Sequence, residues 1–226
     1  MPTINAGRVG YIRGTPGSSY TNAKTSNGSI AYDSPTGNVN NAIMAFFSSG
    51  RGGGTYLFQR TYLYFDTSII TTQVTSATLK ITGFTNNSSN VIVADGGNAF
   101  GGNGNTALAT TDFNEVDIGG SPVAYSGQTS WSTSLNSISL NSTALSALTS
   151  NNNTIFCVLN SNNDYGSTTT TSTVNAGIAF GTTIQLEFTL ASTSDIDSLN
   201  EVARASISSF NAVALASIDK INGVDN

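Results

Sequence analysis

The sequence lacks histidine and has one cysteine, Cys157. Without histidine, the chain cannot build a Ser-His-Asp or Cys-His catalytic arrangement, an imidazole metal site or a histidine-based pH switch. One cysteine allows neither an intrachain disulfide nor a thiolate zinc site. Glutamate is also scarce, with Glu115, Glu187 and Glu201 the three in the chain. We therefore predict a structural or binding protein, and no enzyme.

Charged side chains are scarce as well. They make up 9% of the 226 residues, against about 25% in ordinary soluble proteins. Disordered acidic chains and basic nucleic-acid binders both need many charges, so we expect neither class and no nucleic-acid partner. Residues 1–80 hold six basic and two acidic residues, whereas residues 81–226 hold two basic and eleven acidic ones. This asymmetry fits either chance in a charge-poor chain or complementary faces that dock neighbouring copies.

Long apolar runs are missing too. No segment approaches the roughly 20 apolar residues that a membrane-spanning helix needs, so we expect no membrane partner. Residues 1–5 (MPTIN) show no basic start followed by an apolar run, which argues against a signal peptide. Release by lysis, as for virion proteins, is an economical explanation for such a chain.

Serine, threonine, asparagine and glycine are abundant, and 38% of the residues are hydrophobic and can form a core. Short apolar and aromatic segments are typical of β-strands. The predicted strands are residues 8–13, 42–47, 55–66, 76–84, 91–94, 123–125, 138–140, 154–159 and 183–190. One helix, residues 141–148, is predicted to be capped by Asn141. This pattern predicts an all-β, antiparallel β-sandwich with jelly-roll-like wiring, and its polar loops should lie at the sandwich ends.

The chain changes character near its C-terminus, where residues 198–208 and 209–219 repeat one 11-residue pattern and residues 220–226 begin a third copy. If helical, an 11-residue period corresponds to about 3.67 residues per turn. Its apolar positions would form one stripe: Leu199, Val202, Ile207, Phe210, Val213, Ile218, Ile221 and Val224. Short helical turns broken at each asparagine are the alternative. The stripe must be covered either by its own domain or by a partner, and we favour assembly because a sandwich has little apolar surface left over. The predicted domains are therefore a sandwich, residues 1–191, and an assembly segment, residues 192–226.

Residues 60–68 (RTYLYFDTS) and 74–81 (VTSATLKI) resemble the R-x-Y-L-x-F-D … S-A-T-L-x-I stretch of DNRLRE-type sandwiches. Those domains are related to carbohydrate-binding modules and occur on surface proteins and extracellular enzymes. The resemblance extends over roughly residues 8–191 and implies a jelly-roll β-sandwich. No ligand-binding motif of such domains is matched.

A second resemblance concerns the repeat. Residues 216–224 (ASIDKINGV) are similar to repeats near the ends of tailed-phage structural proteins. This resemblance implies a virion protein, which would be a tail, fibre or head-surface component.

Candidate ligand sites are few. Asp112, Glu115 and Asp117 offer hard oxygen ligands that suit Ca²⁺, although their order does not match an EF-hand loop and solvated loop acids are the alternative. We predict no cofactor, with Ca²⁺ as the one candidate ion. Tyr125 and Trp131 are candidates for a sugar-stacking platform, and the alternative is a tryptophan in the core at the end of the sandwich.

Three further side chains have predicted structural roles. Arg60 is expected to pair with a carboxylate inside the sandwich rim. Asp66 closes the aromatic strand and should cap a turn. Cys157 lies in an apolar run and should be a small buried hydrophobe.

Together these observations predict a non-enzymatic virion protein that assembles with copies of itself, with a trimer favoured, and with other virion proteins. The alternative is a carbohydrate-binding module that recognises a host-surface or extracellular polysaccharide. The two functions are compatible, since receptor-binding fibres perform both.

Overall fold

The computed structural model describes residues 1–34, 42–50, 53–116, 122–178 and 184–191, together with six two-residue segments between residues 198 and 225. The chain divides into two units, Met1–Thr189 and Leu190–Asn226. The sequence prediction placed this division after residue 191. In the part of the chain that is described, no helix is long and apolar enough to cross a membrane.

The described part of the first unit is built mainly from twelve strands. They are β1 (Thr3–Asn5), β2 (Arg8–Gly14), β3 (Gly28–Ser34), β4 (Ala42–Gly50), β5 (Gly53–Asp66), β6 (Val74–Asn87), β7 (Asn90–Asp95), β8 (Thr129–Ser130), β9 (Leu135–Ser139), β10 (Asn153–Asn160), β11 (Val174–Ile178) and β12 (Gln185–Leu190). Short helices interrupt them: α1 (Tyr20–Thr25), α2 (Ser142–Ser150), the 3-10 helices Ala99–Gly102 and Thr110–Asn114, and the π-helical turn Ser161–Tyr165.

The strands form an antiparallel β-sandwich, which confirms the predicted fold class. One layer has the order β3-β2-β5-β10-β7-β8. The other has the order β1-β12-β6-β11-β4, with β9 also paired to β6. The 14-residue strand β5 connects the two layers, because its residues 53–59 pair with β4 and its residues 59–66 pair with β2 and β10.

The central strands β5 and β10 of the first layer are buried on both faces. Leu63, Phe65 and Val158 point to one face and are fully buried. Tyr62 and Cys157 point to the other face and are also fully buried. A sheet covered on both sides accounts for the continuous apolar run of β10.

Loops cover this outer face, which corrects the expectation that the polar loops lie at the sandwich ends. Tyr62, Cys157 and their neighbours pack with Ala23 from the connection between β2 and β3, and with Phe100 and Phe113 from the connection between β7 and β8. Each loop is mostly polar but carries a few large apolar side chains. Those side chains suffice to anchor it, because each buries most of its area against the sheet.

The second unit contains three short antiparallel strand pairs. They are Ser198–Leu199 with Val202–Ala203, Ser209–Phe210 with Val213–Ala214, and Lys220–Ile221 with Val224–Asp225. A helix, one of the two forms expected for the repeat, is wrong at these positions, whereas a turn-rich repeat agrees with the short strand pairs. Two residues separate the strands of each pair, and the first is asparagine in every copy, which is a hairpin signal. Ile207 and Ile218 lie outside the described residues.

Candidate functional site

An open polar cleft of about 540 Å³ lies at the end of the β7–β10 pair. Its lining comes from the loop of residues 95–102, from Tyr125 and from residues 150–155, which join α2 to β10. Strand β7 ends at Asp95, which pairs with Phe156, whereas β10 extends three residues further, to Asn153. The two connections therefore diverge at this point.

Asp95 is the one charged residue among those that line the cleft in the described structure. Its Oδ1 accepts a hydrogen bond from the backbone N–H of Gly97 at 3.0 Å, which fixes the carboxylate at the start of the loop. Tyr125 lies beside it with 6% of its surface exposed. Burial and the Asp95 carboxylate, to which the Tyr125 side chain is hydrogen-bonded, raise the pKa of the Tyr125 phenol.

Glycine is required where the loop turns over the cleft. Gly97 has a φ of +56°, and a Cβ at this position would lie 2.8 Å from the carbonyl oxygen of Glu115. The next residue, Asn98, donates its backbone N–H to Glu115 Oε2 at 3.2 Å. Two carboxylates therefore fix consecutive residues of this loop: Asp95 binds the Gly97 N–H and Glu115 binds the Asn98 N–H.

Three consecutive asparagines form the opposite wall. The backbone there is fixed, because Thr67 donates its N–H to the Asn152 carbonyl at 2.9 Å and its hydroxyl to the Asn151 carbonyl at 2.7 Å. Asn153 Oδ1 accepts the Tyr64 hydroxyl at 2.6 Å. The side chains of Asn151 and Asn152 are exposed and make no hydrogen bond to the described residues. A carboxylate, a phenol and several amides thus line the cleft, a set that suits a ligand with many hydroxyl groups.

The structure gives the predicted calcium ligands other roles. Asp112 Oδ2 accepts the N–H groups of Ala109 at 3.0 Å and Phe100 at 3.2 Å, and Glu115 holds Asn98 as described above. Both carboxylates therefore join the glycine-rich loop to the 3-10 helix Thr110–Asn114. Asp117 lies outside the described residues, and within them no three histidine, cysteine or acidic side chains cluster as a metal site.

The predicted sugar-stacking platform is corrected by burial. Trp131 is 3% exposed and Tyr125 is 6% exposed, so neither ring has a free face for a sugar. Trp131 takes the alternative role of a core residue, and the Tyr125 ring packs edge-on against Phe156 at a centroid distance of 5.8 Å. An aromatic surface that is exposed lies elsewhere, where Tyr32 is half exposed and stacks on Tyr11 at 5.7 Å.

Arg60 pairs with a carboxylate, as predicted. Its Nε and one terminal nitrogen each lie 2.8 Å from Asp164, and its terminal nitrogens also donate to the carbonyls of Phe113 at 2.6 Å and Lys24 at 3.1 Å. Burial alone would lower the pKa of Arg60, but the Asp164 carboxylate reverses this and the pKa is raised. The guanidinium is therefore a charged tie between β5 and three loop segments.

The other structural predictions are confirmed. Asp66 Oδ1 accepts the backbone N–H of Ser68 at 3.0 Å and so closes a turn. Asn141 Oδ1 accepts the N–H of Ala144 at 3.1 Å and caps α2. Cys157 is fully buried.

Sequence reasoning missed the cleft itself. Asp95 follows a short apolar strand and precedes two glycines, and residues 151–153 are three asparagines between a helix and a strand. Each segment is a turn signal when taken alone. Only the pairing of β7 with β10 brings the two together.

Comparison with protein-family models and a search of curated proteins by sequence each found no match.

Proposed function

We propose that this chain is a non-enzymatic structural protein of a tailed-phage virion, in the tail, the fibre or the head surface. It assembles through its C-terminal repeat with copies of itself and with other virion proteins. The repeat of three equally spaced hairpins carries this proposal, and the similarity of residues 216–224 to phage structural proteins supports it. A trimer is favoured because it suits fibres.

The hairpins are too small to be independent. Each ladder pairs two residues per strand, and the matching pairs are Leu199–Val202, Phe210–Val213 and Ile221–Val224. An isolated two-stranded hairpin is marginally stable in water even when it is longer. Repeat units of this kind bury their apolar positions by stacking on neighbours, so a second surface is needed.

Native mass spectrometry of the full chain tests the proposal. The triple variant Val202→Asp, Val213→Asp and Val224→Asp places a charge at the same register position of every hairpin. We expect the wild type to be a trimer or larger, and this variant to be a monomer.

The matched control is the triple variant Thr71→Asp, Ala107→Asp and Thr143→Asp. It adds the same charge at exposed positions of the first unit, and it should keep the wild-type mass. A monomeric wild type, or an unchanged mass for the valine variant, would contradict assembly through the repeat.

Glycan recognition is the second candidate function. The polar cleft beside Asp95 favours it, because its carboxylate, phenol and amide groups can exchange hydrogen bonds with sugar hydroxyls. A glycan array probed with the full chain, followed by isothermal titration, tests it. We expect weak binding with a Kd near 1 mM, and no binding to any array member would contradict this function.

A further inference from the structure

Resting on the proposed glycan recognition, we infer that the Asp95 cleft is the saccharide site and that it selects neutral sugars over anionic ones. The cleft of about 540 Å³ falls within the roughly 300–1,000 Å³ of typical small-ligand pockets. It lies on the first unit and is built from the ends of two paired strands, so its walls are fixed by the sheet.

The available polar groups match a polyol. Asp95 accepts the Gly97 N–H and is also hydrogen-bonded to the Tyr125 side chain, whereas a carboxylate has about four acceptor positions. It can therefore accept two neighbouring hydroxyl groups of a sugar ring. Asn151 and Asn152 line the same cleft with amides that both donate and accept.

The charge of the cleft sets its selectivity. Asp95 carries a carboxylate into the cleft, and a second carboxylate, that of Glu115, accepts the N–H of Asn98 in the same loop. The described lining contains no lysine or arginine. A uronic acid or a sulfated sugar would enter a site with no counter-charge. Its anionic group would meet Coulomb repulsion from Asp95 that a neutral hydroxymethyl group does not.

The backbone around these groups is pre-organised. The Gly96 N–H donates to the Ile155 carbonyl at 2.9 Å, which joins the two walls directly. Thr67 hydrogen-bonds the backbone of Asn151 and Asn152, and Asp95 and Glu115 hydrogen-bond the backbone of Gly97 and Asn98. A ligand therefore orders few groups on binding, which lowers the entropic cost of a small contact area.

Matched sugars test the inference directly. Neutral methyl glycosides of glucose and galactose are titrated into the full-length chain beside the corresponding methyl glucuronide and galacturonide, with saturation-transfer NMR as the readout. Titration continues to about 50 mM, well past a Kd of about 1 mM. We expect at least one neutral glycoside to bind, and its uronide partner to bind about tenfold more weakly or worse.

Two carboxylate variants locate the site. Asp95→Asn keeps the acceptor for Gly97 but removes the charge. It should weaken the affinity for the neutral glycoside at least fivefold, and it should reduce the difference in affinity between the glycoside and the uronide. Asp66→Asn is the matched control, because Asp66 also ends a strand and also accepts the N–H two residues on, but it does not line the cleft. It should bind as the wild type does.

Asn152→Ala is a second cleft variant, for the case that Asp95→Asn disturbs the fold. It removes an exposed amide that makes no side-chain hydrogen bond to the described residues, so the fold should be preserved. It should also weaken binding. Equal binding of glycoside and uronide, or wild-type binding by the cleft variants, overturns the inference. If Tyr32→Ala abolishes binding instead, glycan recognition stands but the site is wrong. If no glycoside binds, the inference fails, and the glycan array alone then decides whether the chain recognises glycans.

Discussion

Arg60 and Asp164 lie 104 positions apart in the sequence and form a two-point ion pair with no exposed surface. The pair sits between strand β5 and the π-helical turn Ser161–Tyr165, and the Arg60 guanidinium also lies 3.8 Å from the centroid of the Phe113 ring. The two terminal nitrogens of Arg60 thus donate to the Asp164 carboxylate and to the carbonyls of Phe113 and Lys24. The Arg60 side chain therefore links the segments that cover the outer face of the β5 layer.

We expect Arg60→Met to lower the free energy of unfolding by about 3–5 kcal/mol, because it leaves the Asp164 carboxylate buried without a counter-charge. Arg60→Lys should also be costly, since an ammonium cannot reproduce the planar two-point contact. Urea unfolding monitored by circular dichroism measures both. The double variant Arg60→Met with Asp164→Leu should recover part of the loss, and additive losses would argue against coupling.

Alkaline pH should destabilise the fold. Burial raises the pKa of the Cys157 thiol above its ordinary value of 9.0, and burial likewise raises the pKa of Tyr62 above 10.0. The folded chain therefore holds protons that the unfolded chain releases, so stability is complete below pH 9 and falls as the pH rises further. Lys24 acts in the opposite sense, since burial lowers its pKa and its penalty disappears near pH 10.5.

Urea midpoints measured between pH 8 and pH 11 test this sign, and we expect them to fall above pH 9. In the same series, iodoacetamide at pH 8 should leave Cys157 unmodified in the folded chain and modify it in urea. A midpoint that rises with pH, or rapid alkylation of the native chain, would contradict the burial of these groups.

Gly97→Ala should destabilise the loop over the cleft. The substitution places a Cβ in a left-handed conformation and 2.8 Å from the Glu115 carbonyl oxygen, and we expect a loss of about 1–2 kcal/mol. Gly127→Ala is the control, because a Cβ there has no neighbour within 4 Å. Its thermal midpoint should stay near that of the wild type or rise slightly.

Asn141→Ala should cost about 1–2 kcal/mol, because Asn141 caps α2 and also donates its Nδ2 to the Ala124 carbonyl at 2.8 Å. Asn141→Ser retains a capping oxygen and loses only the second bond. Chemical denaturation should therefore rank the wild type above the serine variant, and the serine variant above the alanine variant. Equal losses for both variants would assign the effect to the Ala124 contact alone.

Structural features that depend on a few neighbouring residues could be predicted from the sequence. The strand at residues 55–66, the turn at Asp66 and the Asn141 cap each depend on a few consecutive residues, and each was found. Arg60 could be predicted to need a carboxylate because it interrupts an aromatic strand. Its partner could not, because Asp164 lies in a polar stretch where nothing local distinguishes it.

The elements that were missed depend on distant contacts. Helix α1 and strand β3 lie between the predicted strands 8–13 and 42–47, where no element was predicted. Helix α1 is held by Ala23, which packs in the buried cluster, and by the Lys24 carbonyl, which accepts a hydrogen bond from Arg60, whereas β3 is held by its pairing with β2. The helical form expected for the repeat was wrong for another reason. A period of 11 residues fits both a helix and a strand–turn–strand unit, and the asparagine in each copy is the feature that distinguishes them.

The pairing of β1 with β12 has a mechanical consequence. Thr3 lies opposite Glu187, and Asn5 lies opposite Gln185, so the first and last strands of the sandwich are antiparallel neighbours. Tension applied at residues 1 and 190 therefore pulls at one end of this ladder and opens its hydrogen bonds one after another. A ladder loaded in this way yields at low force, so β1 should peel away while the layers behind it remain intact.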